Sequence, residues 1–262
     1  DINADLEPAF LKAADEVSAE RKLAQPIPKL CTLVTASPFD AAIHDAFGKI
    51  HSRNSYQTYG PDLLPRDLSH YLDGSYKNLW LNQFISKKPK ATMPMYHLVG
   101  AADALTDADI KERLNDGLPE TLPEWIAFNG LTHLKIKLNG DNLPWDVERV
   151  AGIERVAAQA QAKRGLANWV YSLDFNEKCK HVDYLLDFIH KLKETAPAAF
   201  ARIQYIEQPT ARDLAANRQN VMHQASKLVP VVIDESLTSL DMLMLAREMG
   251  YTGVALKACK GQ

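Results

Sequence analysis

Cysteine is scarce in this chain: 262 residues contain three, Cys31, Cys179 and Cys259. An odd, widely spaced trio makes neither a disulfide framework nor a CxxC metal site, which points to a reducing cytoplasm. Long apolar runs are missing as well. None approaches the roughly 20 residues that cross a bilayer, so no membrane segment is expected. Asp1-Ile2-Asn3-Ala4-Asp5 lacks the basic and apolar regions of a secretory signal. A positive excess is absent too. The net charge is −3, and the pairs Lys87-Lys88 and Lys163-Arg164 are isolated, which excludes a nucleic-acid footprint. There is no low-complexity segment and no internal repeat beyond a strand–helix rhythm.

That rhythm begins near residue 92. Met95–Val99 is a first expected strand, followed by the helix-start signature Thr106-Asp107-Ala108-Asp109. A strand over Leu134–Leu138 precedes a helix from Pro144 to Lys163, with Val147, Val150, Ala151, Val156, Ala157 and Ala160 on one face. The strand Trp169–Asp174 leads to a helix carrying Val182, Leu185, Leu186, Ile189 and Leu192, closed by Pro197. Further strands end at Glu207 and Asp234. Thr238 or Ser239 caps a helix that stops at Gly250, before a sixth strand from Gly253 to Lys257. Residues 1 to about 60 read as helical, with an amphipathic helix over Ser37–Lys49. Residues 61–91, rich in Pro, Asp, Ser and Lys, read as a connecting insertion.

Five of these runs end in charge, in the order lysine, acid, acid, acid, lysine: Lys137, Asp174, Glu207, Asp234, Lys257. A doubly wound sheet and a barrel both fit the rhythm. The barrel is favoured because its strand ends converge on one mouth, whereas an open sheet spreads them along a crevice. Strand alternation puts Lys135 and Lys137 on one face and Leu134, Ile136 and Leu138 on the other. Two such close ammonium groups repel, so a lowered lysine pKa is expected. The same parity pairs Asp174 with Asn176 and Asp234 with Ser236. Three carboxylates on neighbouring strands offer hard oxygen ligands suited to Mg²⁺. Taken singly, each charge also fits a plainer role: a solvated lysine, a helix cap, or a Lys257 salt bridge to Asp234 or Glu235.

Lys135-Ile136-Lys137, Asp174-Phe175-Asn176-Glu177, Glu207-Gln208-Pro209 and Asp234-Glu235-Ser236 resemble the strand-end motifs of the enolase superfamily. Lys257 resembles the muconate-lactonizing branch of the mandelate racemase/muconate lactonizing enzyme family. Phe39–Lys49 is similar to the last helix of that family's capping domain. The resemblance covers residues 37–60 and 92–260. It implies an α/β fold, a (β/α)₈ TIM-type barrel with strands one to six visible at 92–262. The helical part of an α+β capping domain, with the insertion, would fill 1–91. Strands seven and eight and the β-rich start of the capping domain have no counterpart here, so a longer parent chain is expected.

By the same resemblance Asp174, Glu207 and Asp234 would hold Mg²⁺, with Mn²⁺ as a substitute. Lys137 and Lys257 would be the acid/base residues, Lys135 would tune Lys137, and Asn176 and Glu235 would support the ligands. The implied activity is abstraction of a proton α to a substrate carboxylate through a metal-stabilised enolate, of racemase, epimerase or cycloisomerase type. A dehydratase or o-succinylbenzoate synthase-like lyase uses the same parts. A catalytically silent scaffold or binding protein is the reading from another class. The partners implied are a small-molecule carboxylate and further copies of the chain, with no nucleic acid and no membrane.

Overall fold

The computed structural model describes residues 2–260. The chain divides into two compact units. The first runs to Thr92 and takes in the segment from Leu256; the second is Met93–Ala255.

In the first unit, α1 (Ile2–Glu20) and α2 (Lys29–Ile50) are joined by a short turn. The expected helix at Ser37 thus begins eight residues earlier and passes through Pro38. Proline has no N–H to give the carbonyl four residues back. Here the Ser37 hydroxyl donates to Val34 O instead, at 2.9 Å, so the break is bridged by a side chain. Gly48 does not end the helix. Its role is close approach: a Cβ there would lie 2.8 Å from Arg53 O. Residues 61–91 form no α-helix or strand, only single 3₁₀ turns, two of them capped where Asp67 and Asp73 accept from the amides of Ser69 and Ser75.

The second unit holds a six-stranded parallel sheet in the order β1 to β6. Its strands are β1 (Tyr96–Val99), β2 (His133–Lys137), β3 (Val170–Asp174), β4 (Ile203–Glu207), β5 (Val231–Ile233) and β6 (Gly253–Val254). Sequence order and spatial order coincide, without the reversal that marks a doubly wound sheet. The sheet is curled. Tyr96 of β1 meets Tyr205 of β4 with ring centroids 6.1 Å apart and hydrogen-bonds Gln204. In a flat sheet three strand spacings, roughly 14 Å, would separate those backbones. Curvature towards this face is what a barrel needs, although β1 and β6 each pair with one strand only, so the sheet is not closed.

Helices cover the other face. They are α3 (Leu122–Asn129), α4 (Leu143–Lys163), α5 (Val182–Thr195), the single turn α6 (Pro197–Phe200) and α7 (Leu240–Glu248). Leu134, Ile136, Tyr171, Leu173 and Ile206 are buried with Val150, Ile153, Leu185, Phe188 and Leu192 in one apolar core. The alternation expected in β2 is observed: Leu134 and Ile136 are fully buried, and the two lysines between and after them are half-buried.

Three expectations are corrected, and one connection departs from the strand–helix rhythm. Thr106-Asp107-Ala108-Asp109 opens only one 3₁₀ turn, and the α-helix of that unit is α3. Pro197 starts a short helix instead of merely closing α5. No α-helix joins β4 to β5; that connection holds one 3₁₀ turn, Ala225–Lys227. The sixth strand ends at Val254 instead of Lys257, because the chain leaves the ladder there and the following turn, Ala258–Lys260, packs on α2. No described helix is long and apolar enough to cross a membrane.

Candidate active site

Strand register brings the first three charged ends level: Lys137 pairs with Asp174, and Asp174 with Glu207. Lys135 Nζ bridges two of the acids, 2.9 Å from Asp174 Oδ2 and 2.6 Å from Glu207 Oε1. Lys137 Nζ lies 2.5 Å from the same Asp174 oxygen. Asp234 follows β5 by one residue, and its carboxyl is near enough to that of Glu207 to raise it. Asp174, Glu207 and Asp234 are all buried. Two ammonium groups therefore face three carboxylates at the C-terminal ends of β2 to β5.

Burial is the largest influence on Glu207 and pushes its carboxyl above the usual range. The Lys135 ammonium opposes this, while Asp234 and Asp174 reinforce it. Burial also acts most strongly on Lys135, downwards, but its hydrogen bond to Glu207 and the nearby Asp174 together outweigh that and hold the ammonium above its ordinary value. The lowered lysine pKa expected from that repulsion is not found at Lys135. Its neighbouring lysine repels it less than two buried carboxylates attract it.

The loops around these ends are tightly tied. Asn176 contributes its amide, which donates to Asp174 Oδ1 at 2.8 Å. Asn176 and Glu177 both adopt left-handed backbone, φ 47° and 67°, strain of the kind that gathers at functional sites. Glu177 accepts from the Arg212 amide and from its guanidinium, at 2.9 and 2.8 Å. Glu235 is half-buried, with Oε2 buried and without a hydrogen-bond partner. Burial raises its carboxyl, with Asp234, Glu177 and Asp174 adding to the effect.

Lys257 is exposed, lies three residues beyond β6 and belongs to the first unit. A cavity of about 520 Å³ lies elsewhere, beside β1 and α3, lined among others by His97, Asp103 and Trp125. It shares no residue with the charged strand ends.

A divalent cation suits the donor chemistry at the strand ends. The three carboxylates are hard, buried oxygens of the kind a divalent cation takes. Among the described residues, no group of three His, Cys, Asp or Glu side chains stands in an arrangement that could hold a metal ion. Lys135 and Lys137 lie against these oxygens and supply the positive charge.

Two structural residues were not singled out from the sequence. Asp146 of α4 is fully buried and accepts from the amides of Asn139 and Gly140, at 2.7 and 2.9 Å, and from the Tyr184 hydroxyl, at 2.5 Å. It fixes the loop that follows Lys137, and an acid in the first helical turn was its only visible signal. Gln208 sits within Glu207-Gln208-Pro209 and, being neutral, carries no charge to mark it.

No family model matches the chain, and no curated protein does. Solved structures do resemble it. Muconate lactonizing enzyme from Pseudomonas putida is 21% identical over 49% of this chain and 32% of its own, with a TM-score of 0.37. A mandelate racemase/muconate lactonizing protein from Herpetosiphon aurantiacus is 25% identical over 53% and 34%, TM-score 0.41. The L-Ala-D/L-Glu epimerase from Bacillus subtilis is 22% identical over 53% and 34%, TM-score 0.40. The likeness is one of partial fold. The matched stretch spans about a third of each of those chains.

Proposed function

We propose that the chain belongs to a Mg²⁺-dependent enzyme that removes the proton α to a carboxylate of a small-molecule substrate, with racemisation, epimerisation or cycloisomerisation as the outcome. One observation carries this reading: two ammonium groups and three buried carboxylates meet at the ends of β2 to β5, with Lys135 bridging Asp174 and Glu207. Lys137 is the proposed base. Once neutral, its amine takes the α-proton, and the electron pair left behind delocalises into the substrate carboxylate. Such a proton is far less acidic than a lysine ammonium, so the developing negative charge needs a strong, preorganised counter-charge. Lys135, held charged by its carboxylate partners, supplies part of it. Mg²⁺ held by Asp174, Glu207 and Asp234 would supply the rest by polarising the substrate carboxylate. Racemisation also requires an acid/base group on the opposite face of the α-carbon, and Lys257 is the residue the sequence offers for that role.

Mg²⁺ alone should stabilise the protein by about 2.7 kcal/mol at a hundredfold excess over its dissociation constant, and Asp174→Asn should abolish the effect. A melting temperature indifferent to Mg²⁺ would sink the metal reading. With a library of small carboxylic acids in D₂O, α-proton exchange should appear in the wild type and vanish in Lys137→Ala. Exchange surviving that substitution would remove Lys137 from its role.

A further inference from the structure

Gln208 is fully buried, directly follows β4, and bonds to both neighbouring strand-end loops. Its side-chain carbonyl accepts two amides of the turn after β5, from Asp234 at 2.9 Å and Ser236 at 3.1 Å. Its side-chain NH₂ donates to Thr210 O at 3.1 Å, which fixes the direction of the amide and leaves the oxygen aimed at the turn. Its backbone N–H donates to Val232 O and its carbonyl accepts from the Glu177 amide, each at 2.9 Å. One residue thus joins the loops after β3, β4 and β5, which carry Asp174, Glu207 and Asp234.

The backbone conformation fits a residue kept for position. Gln208 has φ 33°, outside the range that non-glycine residues readily adopt, and surrounding bonds must hold it there. Side-chain chemistry also selects glutamine. The turn presents two buried N–H groups that need an acceptor, and an amide oxygen satisfies both without adding a fourth carboxylate to the cluster.

We propose that Gln208 is a positioning residue. By holding the amides of Asp234 and Ser236, it sets the Asp234 carboxylate against Glu207 so that the three acids can act as one ligand set. The ligand-set clause rests on the metal reading above; the holding of the turn does not.

The test uses the full chain with Mn²⁺ as the probe, read by electron paramagnetic resonance, and amide hydrogen exchange of residues 234–236 without metal. Gln208→Met keeps length but removes the acceptor. It should weaken Mn²⁺ binding at least tenfold and speed exchange of the turn at least tenfold. Gln161→Met is the control. It removes another fully buried glutamine, one that donates to Leu131 O at 2.7 Å, and should change neither readout. Gln208→Glu retains an acceptor and should preserve the protection of the turn, which keeps the proposal testable if Gln208→Met fails to fold. Unchanged Mn²⁺ affinity in Gln208→Met, an equal loss in Gln161→Met, or an exposed turn in Gln208→Glu would overturn the proposal. If the wild type binds no Mn²⁺, the metal reading falls on that result. Gln208 then stands on tenfold faster exchange of the turn in Gln208→Met and falls on unchanged exchange.

Discussion

Taking away the Lys135 ammonium would leave Asp174 and Glu207, 1% and 2% exposed, without the cation that bridges them. Breaking a buried ion pair from one side typically costs about 3–5 kcal/mol, because the remaining charge keeps its desolvation cost and loses its attraction. Lys135→Met should therefore lower stability by about 3 kcal/mol in urea unfolding, and Lys135→Met/Glu207→Gln by distinctly less, since the double variant also removes a charge. A loss below about 1 kcal/mol in the single variant would show that Lys135 is not the cluster's main counter-charge. The strand-end charges were legible in the sequence because each closes an apolar run. Their electrostatics were not. Lys135 and Lys137 are neighbours in sequence, so their repulsion is visible, whereas Glu207 lies 72 residues from Lys135 and Asp174 lies 37 from Lys137. Attraction over those separations appears only once the sheet is formed. Gln208 was hidden for a related reason: a neutral side chain carries no sign of the amides that it will accept.

Among the elements, α2 poses the sharpest local problem, because a proline sits inside it. With Pro38 unable to donate, the buried Ser37 hydroxyl bonded to Val34 O replaces the missing backbone bond. Ser37→Ala should cost about 1 kcal/mol, the usual net value of one hydrogen bond. Made in a Pro38→Ala background, where the backbone N–H returns, the same change should cost nearly nothing. Equal losses in both backgrounds, measured by denaturant unfolding, would refute the bridging role. Strand positions were readable from β-rich runs and their polar ends, and α4 from its apolar spacing. The helix α3 is marked in the sequence only by the capping signature Thr121-Leu122-Pro123-Glu124, and Glu124 Oε2 does accept the Thr121 amide at 3.0 Å. β6 was overextended because Val254-Ala255-Leu256-Lys257 has strand composition throughout, while its pairing with β5 stops at Val254. Composition reports what a segment can form; the partner strand decides how far it does so.

At the scale of the whole molecule, the balance of proton binding between folded and unfolded chains sets the response to alkali. Burial holds the hydroxyl of Tyr171 far above its ordinary range, with the Glu154 carboxylate reinforcing it. Burial also pushes Tyr251 up to about 12. Both rings are buried, Tyr251 6% exposed. A folded pKa raised above the unfolded value gives stability that is complete below the unfolded value, near pH 10, and is lost as pH rises through the folded one. Above pH 10 the unfolded chain releases tyrosine protons that the native state retains, so each such residue should tilt stability downward by about 1.4 kcal/mol per pH unit. Stability should therefore stay flat with respect to these groups up to about pH 10 and fall between there and 12. Tyr251→Phe isolates one contribution, because the contact described for its hydroxyl is a long one, 3.4 Å from Thr210. Across pH 10–12 the variant's stability should decline less steeply than the wild type's by about 1.4 kcal/mol per pH unit, read by urea midpoints alongside phenolate absorbance. Parallel curves would mean that Tyr251 ionises as readily in the folded protein as in the unfolded chain. Burial in the β-sheet unit would then not be what sets its proton affinity.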